Sequence, residues 1–312
     1  MIDGFKLFGT LNSKELVASV AKELNVPVGQ YHSQVFSDGE VFVKFEESIR
    51  GQSIAILAQA NMPYENLFEL FLAIDAARRA SAKEIICIVP YLPHSRQERK
   101  DAERTSIASR LVADFIQQAG ADRVITIDLH TNSIEGFFKI PVDHLDTSNL
   151  FAKHIREQNI DNLCLCSPDF GGLKRIKQYK KLLNTEMAVI HKERLKANQV
   201  ASMEIIGDVS GKNVVIIDDM IDTAGTLCKA AELIMEKGAL SVTAYTTHGL
   251  LSGPAIERIE ASPLKNVFIT DTVSVDLPEG KIIKVSCDVI IAKAISHLME
   301  NKSIKELNES GL

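Results

Sequence analysis

Basic residues do not dominate this chain. Lys and Arg number 35 against 41 Asp and Glu, for a net charge of −6. A general nucleic-acid-binding role, which usually shows as a basic excess, is therefore not expected. Cysteine is scarce: Cys87, Cys164, Cys166, Cys228 and Cys287 are odd in number, and no pair has zinc-finger spacing. Cys164 and Cys166 alternate along a predicted strand, point to one face, and read as small core residues. Long apolar runs are missing too. The longest uncharged stretch, 238–256, contains Ser, Thr, His, Gly and Pro, which argues against a membrane span. The opening MIDGFKLFGT has no basic segment followed by an apolar one, so no signal peptide is expected and a cytoplasmic location is. No low-complexity segment or long linker interrupts the chain.

What is present is a repeated alternation. With 312 residues, 46% apolar and 24% charged, there is material for two cores. Apolar, β-branched strands are predicted at 53–59, 84–90, 123–129, 163–167, 186–191, 213–218 and 241–247. Helical patterns fall at 64–80, 105–119, 148–158, 171–183, 224–237 and 287–300. Strand–helix–strand succession predicts an α/β fold with mainly parallel sheets flanked by helices. A faint internal repeat has an offset of 160 residues: GQSIAIL at 51–57 matches GKNVVII at 211–217, Leu67 falls on Leu227, and Ile74 on Ile234. It suggests two similar domains, 1–147 and 148–312, although chance agreement between two strand–helix–strand units is an alternative. The pattern leaves open which domain the last helix joins.

The stretch VVIIDDMIDTAGTL at 214–227 puts three carboxylates at the end of a buried strand without an intervening lysine or arginine. Asp218, Asp219 and Asp222 would repel one another, so a partner with donors or a cation is expected. Asp222-Thr223-Ala224-Gly225-Thr226 then falls at a helix N-terminus. There, free backbone N–H groups, two threonine hydroxyls and a flexible Gly225 can cradle a phosphate. Asp218 and Asp219 can accept from hydroxyls or hold a metal, and a phosphate beside a diol is a sugar phosphate. The stretch is neither a P-loop nor a dinucleotide fingerprint. An N-capped helix after an acidic turn is the simpler alternative.

Four other segments carry chemistry-bearing residues. FSDGEVFVKFEESIRG at 36–51 has a hairpin-like Asp38-Gly39 turn. YLPHSRQERKD at 91–101 gathers four basic residues, His94, Arg96, Arg99 and Lys100, as polyphosphate recognition would need, or as a solvated basic loop shows. Asp128 and His130 of TIDLHTNSIEGFF share a strand face at i, i+2, and Asp169 of SPDFGG follows strand 163–167. HKERLKANQVASMEIIGDVSG, 191–211, alternates Lys192, Arg194 and Lys196 without a helical period and reads as a solvated hairpin.

VVIIDDMIDTAGT resembles the phosphoribosyl pyrophosphate-binding motif shared by phosphoribosyltransferases and ribose-phosphate pyrophosphokinases. Over nearly its full length the chain resembles the pyrophosphokinase family. That resemblance implies two phosphoribosyltransferase-like domains. It also implies transfer of the β,γ-diphosphoryl group of ATP to the 1-hydroxyl of ribose 5-phosphate, giving 5-phosphoribosyl 1-pyrophosphate and AMP for nucleotide biosynthesis. By the same resemblance Phe36, Asp38, Gly39 and Glu40 form an adenine-binding loop that reaches the ATP site of a neighbouring subunit, and Arg96 and Gln97 contact ATP. Asp218, Asp219 and Asp222 to Thr226 hold ribose 5-phosphate. His130 and Asp169 match its magnesium (Mg2+) positions, Lys192 and Arg194 the basic residues of its flexible catalytic loop, and the assembly is a homohexamer. The sequence departs from the family at Glu193 and Leu195, where an arginine and a proline are usual, at Thr131-Asn132-Ser133, and at Ala102 and Ser106. The last two fall in the loop tied to phosphate activation and ADP inhibition, so the resemblance does not carry that control over. Two alternatives are a phosphoribosyltransferase, which would need neither the 36–40 turn nor Arg96-Gln97, and a catalytically silent regulatory subunit.

Overall fold

A computed structural model describes residues 4–196, 199–304 and 307, without the side chains of 192–202. The described chain divides into two compact units. Unit 1 comprises residues up to Asp146, with Thr272–Ser274 and the segment from Ser286; unit 2 is mainly Thr147–Asp271.

Unit 1 carries a five-stranded parallel sheet in the order β1 (Phe5–Gly9), β4 (Ser53–Leu57), β5 (Glu84–Ile88), β6 (Arg123–Ile127) and β7 (Val142–Leu145). A separate antiparallel hairpin, β2 (Tyr31–Val35) with β3 (Val41–Phe45), precedes β4. Strands such as SIAIL and EIICI are buried from their second residue onward, as expected where both faces are covered. Helices α1 (Lys14–Leu24), α2 (Tyr64–Arg79) and α3 (Ala108–Ala119) connect the strands. On α2, Leu67, Leu70, Ala73, Ile74 and Ala77 recur at helical spacing and enter the core with Ile54, Ile85 and Ile116. Burying each leucine or isoleucine of this set stabilises by roughly 1.5–3 kcal/mol before cavity effects, and each alanine by less. Gly120 ends α3 at φ 116°, a conformation that costs glycine no Cβ clash.

Unit 2 holds a seven-stranded sheet ordered β10 (Gln199–Ile206), β9 (Glu186–Lys196), β8 (Leu163–Ser167), β11 (Asn213–Ile221), β12 (Ser241–Gly249), β13 (Leu264–Thr270) and β14 (Ile282–Val285). All pairs are parallel except β9 with β10. Around it lie α4 (Ser148–Glu157), α5 (Leu173–Leu183), α6 (Gly225–Glu236) and α7 (Ala255–Ala261). One face packs Cys164, Cys166, Val214 and Ile216 beneath Leu227, Ala231 and Ile234 of α6. The other sets Leu165, Val215 and Ile217 against Phe151, Ile176 and Tyr179. Both cysteines are core residues on one face, as their alternation predicted. The last helix, α8 (Asp288–Met299), belongs to unit 1 and packs on α1, while α4, which follows β7 in the chain, packs on α5 in unit 2.

Several boundaries differ from the sequence reading, and three of them bear on the candidate site residues. β6 ends at Ile127 rather than 129, because Asp128 turns to a φ of 38°. β9 continues to Lys196 because β10 returns to pair with it, Met203 opposite Lys192. β11 runs three residues beyond 218, because β12 supplies partners as far as Gly249. The sequence reading did not include β1, β7, α7, β13 and β14, whose patterns are short or mixed, nor α1, although its buried Leu16, Val17, Val20 and Ala21 recur at helical spacing.

Candidate active site

The extension of β11 decides the geometry of the acidic cluster. Asp218 and Asp219 lie within the strand, Asp218 paired in register with Thr246, rather than in a turn after it. Strict strand alternation would separate the two side chains, yet both carboxyl groups come within reach of a single cation. The Asp219 side chain is 8% exposed and that of Asp218 26%. The expected cationic partner is Arg175 of α5, whose Nη1 stands 3.2 Å from Asp219 Oδ1 and 3.5 Å from Asp218 Oδ1. Burial drives the Asp218 pKa well above its ordinary value, the Asp219 charge adds to it, and Arg175 opposes both. The sequence reading missed Arg175; its only signal was a cation one turn after the Asp169-Phe170-Gly171-Gly172 loop.

Beyond the strand the chain turns over Asp222 and Thr223 into α6. Ala224, not Gly225, takes the left-handed conformation, at φ 59°, and Gly225 is already the first residue of the helix. The freedom expected of Gly225 is thus not used for a positive φ, and a Cβ there would meet Arg258 Nη1 at an ordinary 3.6 Å. The loop is held from outside: Arg258 Nη1 donates to the Thr223 carbonyl at 3.0 Å, and the Ser252 N–H to the Asp222 carbonyl at 2.9 Å. Thr223 and Thr226 are exposed, Asp222 half-buried, and the first N–H groups of α6 lie beside them. This arrangement offers donors to an anion and acceptors to hydroxyls.

Asp169 is exposed after β8, and its Oδ1 accepts the Gly172 N–H at 3.2 Å, which opens α5 toward Arg175. Next to it, exposed Phe170 meets the ring of His191 at 5.1 Å, at the base of the β9–β10 hairpin. Lys192 and Arg194 lie on the β9 backbone; their side chains are outside the described residues.

In unit 1, residues 36–40 close the β2–β3 hairpin. The Phe36 N–H donates to the Glu40 carbonyl at 2.8 Å, Asp38 Oδ1 accepts the Glu40 N–H at 3.1 Å, and Gly39 takes φ 92°. Only a residue without Cβ adopts that angle freely, so the Asp38-Gly39 hairpin reading is correct. Phe36 remains 45% exposed. Arg96 and Gln97 are exposed after β5; the Gln97 N–H donates to the His94 carbonyl at 2.8 Å, and the side chains of the two residues lie 3.2 Å apart. The basic residues of 91–101 are not equivalent, for Arg99 is engaged by Asp101 at 3.1 Å and approached by Glu98 at 3.9 Å. His130 is exposed, but Asp128 is outside the strand with a positive φ, so the shared strand face proposed for Asp128 and His130 does not exist. Among the described residues no three or more His, Cys, Asp or Glu side chains form a metal cluster, and no helix is long and apolar enough to cross a membrane.

Residues 5–120 match the family described as the N-terminal domain of ribose phosphate pyrophosphokinase, and residues 193–308 that described as the phosphoribosyl synthetase-associated domain. The ribose-phosphate pyrophosphokinase of Porphyromonas gingivalis is 42% identical over 306 residues, covering 98% of both chains. That of Chlorobaculum tepidum is 44% identical over 307 residues, 98% of this chain and 95% of the relative. The chain belongs to the ribose-phosphate pyrophosphokinase family. A solved structure in this family, phosphoribosylpyrophosphate synthetase from Mycobacterium smegmatis, superimposes with a TM-score of 0.89 at 37% identity, covering 95% of this chain and 99% of that one. The family resemblance and the α/β architecture expected from the sequence are thereby upheld. Family membership extends over both halves, which a phosphoribosyltransferase reading of the 214–226 motif alone would not require.

Proposed function

We propose that the chain transfers the β,γ-diphosphoryl group of ATP to the 1-hydroxyl of ribose 5-phosphate, giving 5-phosphoribosyl 1-pyrophosphate, AMP and the proton lost from that hydroxyl. The observation that carries the reading is the end of β11: two carboxylates answered by Arg175, followed by a left-handed Ala224 and the N-terminus of α6. In the proposed assignment, Asp222, Thr223, Ala224, Gly225 and Thr226 hold the 5-phosphate through backbone N–H and hydroxyl groups. Asp218 and Asp219 accept from the 2- and 3-hydroxyls and leave the 1-hydroxyl to attack the β-phosphorus. Phe36, Asp38, Gly39, Glu40, Arg96 and Gln97 position ATP. Lys192 and Arg194, on the hairpin, meet the charge that develops on the transferring group and on leaving AMP.

Magnesium (Mg2+) fits these residues as a companion of the nucleotide. Asp169 offers one exposed carboxylate, and Mg2+ is commonly bound by one or two carboxylates together with substrate phosphates and retained water. His130 is the second assigned position. Such an ion neutralises the phosphates when bound. The proposal extends to a homohexamer in which the exposed 36–40 loop serves a neighbouring subunit's ATP site; light scattering that finds a monomer at working concentration would remove it.

The test is a phosphorus NMR time course with ATP, ribose 5-phosphate and Mg2+. AMP and 5-phosphoribosyl 1-pyrophosphate should appear in equal amounts. ADP as the nucleotide product, or unchanged ATP with folded protein, would overturn the reading.

A further inference from the structure

Beyond β6 the chain takes an unfavourable conformation. Asp128 has φ 38°, a conformation that non-glycine residues rarely adopt and that persists only where the surroundings hold it. The Asp128 N–H still reaches the Leu145 carbonyl, at 3.0 Å. The next N–H, that of Leu129, donates instead to a side chain, His144 Nε2, at 2.9 Å. His144 stands on β7 opposite Thr126, and its Nδ1 lies 2.8 Å from Glu135 Oε1. An amide N–H only donates, so Nε2 accepts; an ionised carboxylate only accepts, so Nδ1 donates. Together the two partners select a neutral ring with its hydrogen on Nδ1. The other tautomer would set N–H against N–H at Leu129.

We infer that Glu135 and His144 are positioning residues for the proposed ATP site. Their two hydrogen bonds hold the Asp128–Leu129 turn and so direct His130, the next residue along, toward the nucleotide phosphates. The inference rests on the assignment of His130 made above. Leu129 itself is 5% exposed, so one side of the turn is fixed by packing and the other by this relay. The His144 side chain is 18% exposed and that of Glu135 42%, which keeps the ring in a restricted setting while its acceptor meets solvent.

Full-length Glu135→Leu, Glu135→Gln, His144→Leu and His144→Gln test this, with His130→Ala alongside. The leucine variants should raise the KM for MgATP about tenfold, the loss of one partly buried hydrogen bond, and leave the KM for ribose 5-phosphate unchanged. The glutamine variants retain an acceptor oxygen and should stay within about twofold of wild type. Nitrogen-15 spectra read the relay apart from activity: Nδ1 should carry the hydrogen in wild type and Glu135→Gln, and the Nε2-protonated form should grow in Glu135→Leu. If both KM values rise together, or only the melting temperature falls, the two residues merely support packing and the inference is overturned. A wild-type ring protonated on Nε2 overturns it as well. If His130→Ala weakens MgATP while the leucine variants do not, the relay alone fails. If His130→Ala leaves MgATP dependence intact, the His130 assignment fails and takes the relay's purpose with it.

Discussion

Across unit 1 the sheet runs β1-β4-β5-β6-β7, and across unit 2 β8-β11-β12-β13-β14 repeats that order, with β9 and β10 added beyond β8. In both, an antiparallel hairpin follows the first helix and precedes the second strand of this series: β2–β3 in one, β9–β10 in the other. At the end of β4, Ala58 is buried and Gln59 is tied to its own unit. The Gln59 N–H donates to Ser13 Oγ at 2.7 Å and its carbonyl accepts from Asn12 Nδ2 at 3.1 Å. At the matching end of β11 stand Asp218 and Asp219, with Arg175 within 3.5 Å of both. One strand end is closed by the protein's own polar groups; the other concentrates like charge around a single arginine. The difference teaches that a few residues at one strand end, and not the fold, decide which unit carries the acidic cluster proposed to bind the sugar phosphate.

The largest test of that comparison sets the two hairpins against each other. Lys192→Ala should lower kcat about 10³-fold, the scale of a lost group that stabilises developing charge, with both KM values little moved. Asp38→Ala in the other hairpin should instead raise the KM for ATP about tenfold. Steady-state kinetics that moved kcat alone for both would mean that the hairpins share one role. Next come the paired core positions. Ile74 and Ile234 are both 0% exposed, and alanine at either should cost about 3 kcal/mol in urea denaturation. A loss confined to one would break the equivalence of the units.

Asp222→Ala should raise the KM for ribose 5-phosphate about 30-fold, whereas Met62→Ala, at the corresponding point of unit 1, should leave it unchanged. The smallest effect concerns pH. Asp218 has a folded pKa above its unfolded one, so its contribution to stability is fully present below the ordinary carboxylate range. That contribution is lost as pH rises through the raised value. Asp218→Asn should therefore flatten the fall in melting temperature above pH 4, while weakening ribose 5-phosphate binding. A melting temperature with the wild-type pH slope would show that Asp218 is not the titrating group.

Much of the candidate site was legible because its signals are local. A β-branched run, three acids, two threonines and a glycine are adjacent in 214–226, and Asp38-Gly39 forms a turn from neighbouring residues alone. Where the reading failed, a distant partner intervened. Arg175 is separated from Asp218 by 43 residues and meets it only because α5 packs beside β11. Arg258 reaches Thr223 from α7. The strand face assigned to Asp128 and His130 was lost because Asp128 turns out of the ladder, a choice stabilised from β7 through His144.

The sequence by itself determined the alternation of strands and helices, many of the apolar faces that form the two cores, and the residue types gathered in the candidate site. Those follow from periodicity and from side-chain chemistry, which neighbours along the chain fix. Only the tertiary structure decided how far β11 extends, which cation answers its acids, and which residue takes the left-handed turn into α6. Each of these depends on partners brought together by sheet order, and hydrogen-bond and charge balance at a strand end is settled by whatever lies beside it in space.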